Sequence, residues 1–103
     1  MNDTFRAEQD ELAIKMARLI RLEREYQMSQ EALSERLFCS RASISRLETG
    51  HSVRSDYLLA AFAELGLARH FIELIDRLLA APPAKRARDE RQRKLDDLMA
   101  PYL

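Results

Sequence analysis

The chain has 103 residues, 47% of them hydrophobic and 33% charged, with a mean hydropathy of −0.39. Such a chain is one globular folding unit with modest appendages, too short for a catalytic domain beside a separate binding domain. The formal charge is zero, 17 Lys and Arg against 17 Asp and Glu, and a pI near 6.7 taken alone argues against a nucleic-acid binder. One Cys excludes a disulfide framework and a Cys-rich zinc centre, and two His cannot supply the missing ligands, so neither metal nor cofactor is expected. No apolar run approaches the roughly 18 residues of a membrane span. The start, Met1-Asn2-Asp3-Thr4, carries no basic segment ahead of an apolar stretch, so a cytoplasmic protein without a membrane partner is expected.

Two Gly and three Pro against abundant Ala, Leu, Arg and Glu leave few places to turn hairpins, and the expected fold is all-α. The first helix is expected from about Glu8 to Tyr26, with Leu12, Met16, Leu19, Leu22 and Tyr26 as its core stripe and Arg18, Arg21 and Glu25 on the solvated side. Ser29 is positioned to cap a short helix from Gln30 to Leu37, with Glu31 at the positive end of its dipole. Ser40 caps another from Arg41 to about Thr49, which Gly50 stops. Ser55 or Asp56 is the candidate cap of a fourth helix, with Leu58, Leu59, Phe62 and Leu65 inward and Gly66 at its end.

The fifth helix, Ala68 to Ala81, has Phe71, Leu74, Ile75 and Leu78 on one side and Ile72 and Leu79 on another, a wider stripe than one small core needs. Pro82-Pro83 marks a boundary, which divides the chain into a domain over 1–81 and a charged tail over 82–103. In that tail, Lys85, Arg86, Arg88, Arg91, Arg93 and Lys94 outnumber Asp89, Glu90, Asp96 and Asp97, and Leu95, Leu98, Met99 and Tyr102 return to helical spacing. Three readings stand for it: a solvated, partly disordered helix, a nonspecific phosphate arm, or an amphipathic helix that pairs with a second subunit or another protein.

The informative stretch is 29–50, SQEALSERLFCSRASISRLETG, in which two helices of about eight residues are joined by a turn. It resembles the lambda-repressor-like helix-turn-helix family, also called the Xre or Cro type. The matching letters are Ser29-Gln30-Glu31, Leu33, Leu37, Ser40 and Ile44-Ser45-Arg46-Leu47-Glu48 with Gly50, and the resemblance extends over roughly residues 12–75. It implies a five-helix DNA-binding domain whose second motif helix enters the major groove of double-stranded DNA.

Within the motif, Leu33, Leu37, Ile44 and Leu47 fall where two helices bury their facing stripes, and Ser34 is small enough for a close crossing. Gln30, Arg41, Ala42, Ser45 and Arg46 fall outward. The resemblance makes Arg41, Ala42 and Arg46, with Ser45 between them, the candidate base-contacting set. Arg matches the O6 and N7 acceptors of guanine, whereas Ala meets only a thymine methyl or backbone. Gln30, at a helix terminus, resembles the family's phosphate clamp, and Ser43, His51, Ser52 and Arg54 are further candidate phosphate contacts.

Two positions depart from the family pattern. Phe38 stands where Gly usually takes a left-handed backbone, at a cost of about 1 kcal/mol, which puts the shape of the turn in question. Cys39 follows it, either as a small buried hydrophobe or as a redox-active thiol with a lowered pKa beside a helix N-terminus and Arg41. Glu48 is expected to hold either a basic partner, with Arg21, Arg24 and Arg36 as candidates, or backbone N–H groups beside the turn.

A single such unit contacts too little DNA to be selective, and the family usually binds inverted half-sites as two-fold dimers. The spare face of the fifth helix, Ile72, Ile75 and Leu79, is the candidate homodimer surface; the alternative is that the N-terminal end of the first helix, with Phe5, covers it. The expectation is a sequence-specific DNA-binding transcriptional regulator, a dimeric repressor occupying its operator. Two alternatives are an antitoxin that binds a partner toxin and represses its own operon, and a protein-interaction module without DNA. No pairing of nucleophile and base and no phosphate-cradling Gly loop occurs, so no enzymatic activity is expected.

Overall fold

The computed structural model describes residues 3–102, except that the side chain of Tyr102, expected in the C-terminal apolar stripe, lies outside the described residues. Six α-helices follow one another: α1 Asp3–Gln27, α2 Gln30–Leu37, α3 Arg41–Glu48, α4 Ser55–Glu64, α5 Ala68–Ala80 and α6 Pro83–Met99. A 3₁₀ turn, Ala100–Tyr102, closes the series, and no strand occurs among the described residues. No helix there is long and apolar enough to cross a membrane. The chain divides after Arg69 into two compact units, so Pro82, which caps α6 with Pro83 as its first residue, falls inside the second.

In the first unit, α2 packs on α3 and α4, and α1 packs on α3. Its core takes Ala17 and Ile20 from α1, Leu33 and Leu37 from α2, Ile44 and Leu47 from α3, Ala61 and Phe62 from α4, and Leu65 and Leu67 from the turn after it. Ile20, Leu33 and Ile44 are fully buried, each contributing about 1.5–3 kcal/mol relative to exposure. Local chemistry sets the helix ends: Ser29 Oγ accepts from the Ala32 N–H at 3.0 Å and Ser40 Oγ from the Ser43 N–H at 3.1 Å. Gly50 and Gly66, with φ of 76° and 79°, take the left-handed backbone that follows α3 and α4.

The inward face of α1 is not the expected one. The helix starts at Asp3, and Leu12, Leu22 and Tyr26 are exposed while Met16 and Leu19 are only half-buried. The buried positions are Ala17, Ile20 and Arg24, in line with the half-buried Ala13, at the same three- and four-residue spacing. Where α1 meets the end of α3, the small residues Ala13 and Ala17 stand beside Gly50: a Cβ added there would sit 3.9 Å from the Ala13 carbonyl oxygen and 4.0 Å from Ala17 Cβ, ordinary van der Waals contact. Further along the same line Ile20 is fully buried and Arg24 meets Glu48.

In α4 likewise Ala61 is inside and Leu59 is exposed, against expectation, whereas Phe62 and Leu65 are buried and Leu58 half-buried. Nor does Ser55 or Asp56 cap α4: Arg54 occupies the cap position without a side-chain bond, Ser55 is the first helical residue, and Asp56 Oδ1 accepts the Tyr57 N–H at 3.0 Å from within the first turn.

In the second unit the charged segment is helical, and neither α5 nor α6 contributes a buried residue. Arg86 of α6 donates to the carbonyl oxygens of Leu78 and Ala81, closing the C-terminal end of α5, where backbone acceptors lack partners within the helix. Leu95, Leu98 and Met99 of α6 are exposed.

Candidate nucleic-acid interface

The turn between α2 and α3 keeps a tight, regular shape although Gly is absent. Phe38 itself takes the left-handed conformation, φ 53° and ψ 43°, with its N–H donating to Glu35 O at 3.3 Å and the next N–H, of Cys39, donating to Ser34 O at 3.0 Å. The Phe38 side chain is 92% exposed, so no burial offsets its backbone strain. Cys39 is half-buried, and that burial pushes its thiol pKa up, opposite to the lowered value a redox-active thiol at this helix start requires.

Ile44 and Leu47 of α3 face the core, so the outward face of this two-turn helix is Arg41, Ala42, Ser45 and Arg46, all exposed. Behind that face lies a polar chain with a buried end. Arg24 Nε donates to Glu48 Oε2 at 2.6 Å and Nη2 to Oε1 at 2.9 Å, a two-pronged pair whose side chains are 10% and 3% exposed. The other terminal nitrogen of Arg24 donates to Met28 O at 3.1 Å. Of the three Arg considered as partners of Glu48, Arg24 therefore fills the role. The Glu48 hydrogen bond raises the Arg24 pKa above its ordinary value against the opposing effect of burial. Gln30 Nε2 donates to Glu48 Oε1 at 3.4 Å, and Arg41 Nε donates to Gln30 Oε1 at 3.4 Å. An outward guanidinium is thus joined through an amide to a buried carboxylate, which restricts its directions before any ligand arrives.

The other candidates form a second group. Arg46 donates to Ser52 O at 3.0 Å, which ties α3 to the following loop. Ser43 is half-buried, its hydroxyl 3.0 Å from Ser40 Oγ. Arg54 pairs with Asp56 at 2.8 Å and lies 5.2 Å from the centre of the Tyr57 ring, a cation–π arrangement. Ser43, Arg46, Ser52 and Arg54 line one shallow hollow together with Val53 and Tyr57. His51 stands beside it in the loop, its Nδ1 2.7 Å from Thr49 Oγ1, which in turn donates to Ser45 O at 2.9 Å.

Sequence reasoning missed Tyr57 and Thr49. Tyr57 was accessible in principle as an aromatic residue three positions after Arg54, whereas Thr49 gave no signal beyond its place at the helix end. Ile72, Ile75 and Leu79 belong to the second unit and are 40%, 52% and 76% exposed.

Chemically, the first group offers a guanidinium linked to the buried pair and the short, exposed side chain of Ala42, and the second offers two guanidinium groups, hydroxyls and an aromatic ring around an open hollow. Among the described residues no cluster of three or more His, Cys, Asp and Glu is arranged to hold a metal ion. No protein-family model, curated protein or solved structure matches the chain.

Proposed function

We propose that the protein is a sequence-specific double-stranded-DNA-binding transcriptional regulator with a lambda-repressor-like five-helix fold, in which α3 is the helix that enters the major groove. The observation that carries this reading is the braced Arg41: an exposed Arg at the first position of α3, joined through Gln30 to the buried Arg24–Glu48 pair. A guanidinium already directed by one such bond suits two-pronged recognition of guanine, since part of the geometry is in place at the moment of binding. Ala42 beside it leaves room for a thymine methyl, Ser45 and Arg46 extend the row, and the group around Ser43, Ser52 and Arg54 with Gln30 and His51 serves the phosphates.

With α3 only two turns long, selectivity comes from two copies. The exposed Ile72, Ile75 and Leu79 of α5 supply the homodimer contact, and the operator is an inverted repeat that the dimer represses by occupancy. Zero formal charge fits this division of labour, because nonspecific attraction is weak and affinity rests on a few placed side chains. The experiment is selection of bound sites from random duplex DNA. Enrichment of an inverted repeat is expected, and no enrichment refutes the reading.

A further inference from the structure

Thr49, just past the end of α3, spends its hydroxyl in a way that decides which nitrogen of His51 carries hydrogen. Its backbone N–H turns to Arg46 O at 3.4 Å, and the carbonyl that a continuing helix would have given it, that of Ser45, accepts the hydroxyl instead at 2.9 Å. Arg46 O is a second, more distant acceptor of the same hydroxyl at 3.4 Å. Both are carbonyl oxygens, so the one hydroxyl hydrogen points to the helix end and only lone pairs are left for His51. The 2.7 Å contact between Thr49 Oγ1 and His51 Nδ1 is then a bond that the ring donates, with hydrogen on Nδ1. The backbone N–H of His51 donates to Arg46 O at 3.1 Å and holds the residue against the same helix end. The residue is otherwise exposed, and Nε2 makes no bond among the described residues.

A neutral ring whose hydrogen sits on Nδ1 has a bare lone pair at Nε2. A phosphate oxygen of DNA only accepts, so this form has nothing to offer it, whereas the imidazolium, with hydrogen on both nitrogens, offers a donor and a charge. We propose, resting on the DNA reading with His51 at a phosphate, that Thr49 is a positioning residue: it fixes the tautomer of His51, so that phosphate binding at this loop takes up one proton from solvent for each copy bound. Charged groups of both signs stand around the ring in the free protein. Asp10 of α1 lines the same hollow as His51, Arg46 of α3 holds the next carbonyl, that of Ser52, and Arg54 ahead of α4 pairs with Asp56. Glu48 of α3 is turned inward to Arg24. DNA adds a phosphate to this set, which favours the charged ring and is the change that binding makes.

Two measurements on the full chain test it, the first without DNA. NMR of the ring nitrogens at about pH 8 should find His51 with hydrogen on Nδ1 and a bare Nε2. In Thr49→Val, which keeps the shape and removes the hydroxyl, the hydrogen should move to Nε2. Hydrogen on Nε2 in the unaltered chain overturns the proposal and leaves the DNA reading standing. Titration of a selected duplex at constant salt should show affinity rising about tenfold from about pH 8 to about pH 6. Thr49→Val should bind more tightly than the unaltered chain at the higher pH and flatten the rise to about threefold or less, because its neutral ring can donate from Nε2. Thr49→Ser, which keeps the hydroxyl, should show the full rise, and His51→Gln should abolish it. A merely structural Thr49 lowers the affinity of Thr49→Val equally at both pH values; that result, or an unaltered chain that binds equally at both, overturns the proposal. If no duplex is selected at all, the DNA reading falls and the proposal with it.

Discussion

Removing Arg24 tests whether the buried pair organises the first unit. Arg24→Met keeps most of the aliphatic bulk but leaves the Glu48 carboxylate, 3% exposed, without the two donors at 2.6 and 2.9 Å that now satisfy it. An uncompensated buried charge costs about 3–5 kcal/mol, set against roughly 5–15 kcal/mol for a whole domain. The single variant should therefore lose much of the stability of the first unit. Arg24→Met with Glu48→Leu removes both charges and should recover most of the loss, since the pair's own attraction largely repays its desolvation. Urea denaturation followed by circular dichroism, run as a double-mutant cycle, separates the terms. If Arg24→Met costs less than about 1 kcal/mol, the pair behaves as a solvated surface bridge and the reasoning that makes it the anchor of Gln30 and Arg41 fails.

Phe38→Gly should stabilise the protein by about 0.5–1 kcal/mol, because it relieves a left-handed backbone at a side chain that buries nothing; a lower urea midpoint would contradict this. Ser40→Ala removes the cap of α3 and should cost about 1 kcal/mol, measurable in the same assay, and a neutral result would mean that the Ser43 N–H finds another acceptor. In α1, hydrogen bonds from Lys15 and Arg21 hold the carboxyls of Glu11 and Glu25 below the ordinary glutamate pKa. Their contribution is complete above the unfolded-state value and is lost as pH falls through the lower folded-state value. Stability should thus decline on acidification below about pH 5, less steeply in Glu11→Gln with Glu25→Gln and less in high salt, because both pairs are exposed. A double variant with an unchanged acid slope would rule these pairs out as contributors.

The motif region was legible because its signals are local. Ser29, Ser40, Gly50 and Gly66 act on backbone groups within a few residues, and each sits where its chemistry implies. The inner face of α1 was not legible, since two stripes of helical spacing run along it and hydrophobicity alone favours the Leu stripe. The face that is buried carries Ala17, Ile20 and Arg24, with Gly50 beside its Ala residues and Glu48 bonded to its Arg, partners that lie 24 or more residues away in the sequence. The open question of the Glu48 partner has the same origin: Arg24 is four residues beyond Ile20 on the Ala stripe, so choosing the correct face also chooses the correct Arg. Leu59 and Ala61 repeat the lesson in α4, where the smaller residue is the buried one. Phe38 shows the reverse case, in which the turn keeps its geometry and the residue absorbs the strain.

The base-reading role of Arg41 is the claim on which the function rests, and titration of labelled duplexes carrying the selected operator, each base pair varied in turn, measures it most directly. Arg41→Ala should lose about 1–3 kcal/mol, concentrated at one base pair whose identity then ceases to matter, while Gln30→Ala, which removes a phosphate contact and the link to Arg41 together, should weaken all duplexes and also reduce the preference at that same base pair. If Arg41→Ala leaves the preference at every position intact, α3 does not read the sequence and the account is wrong.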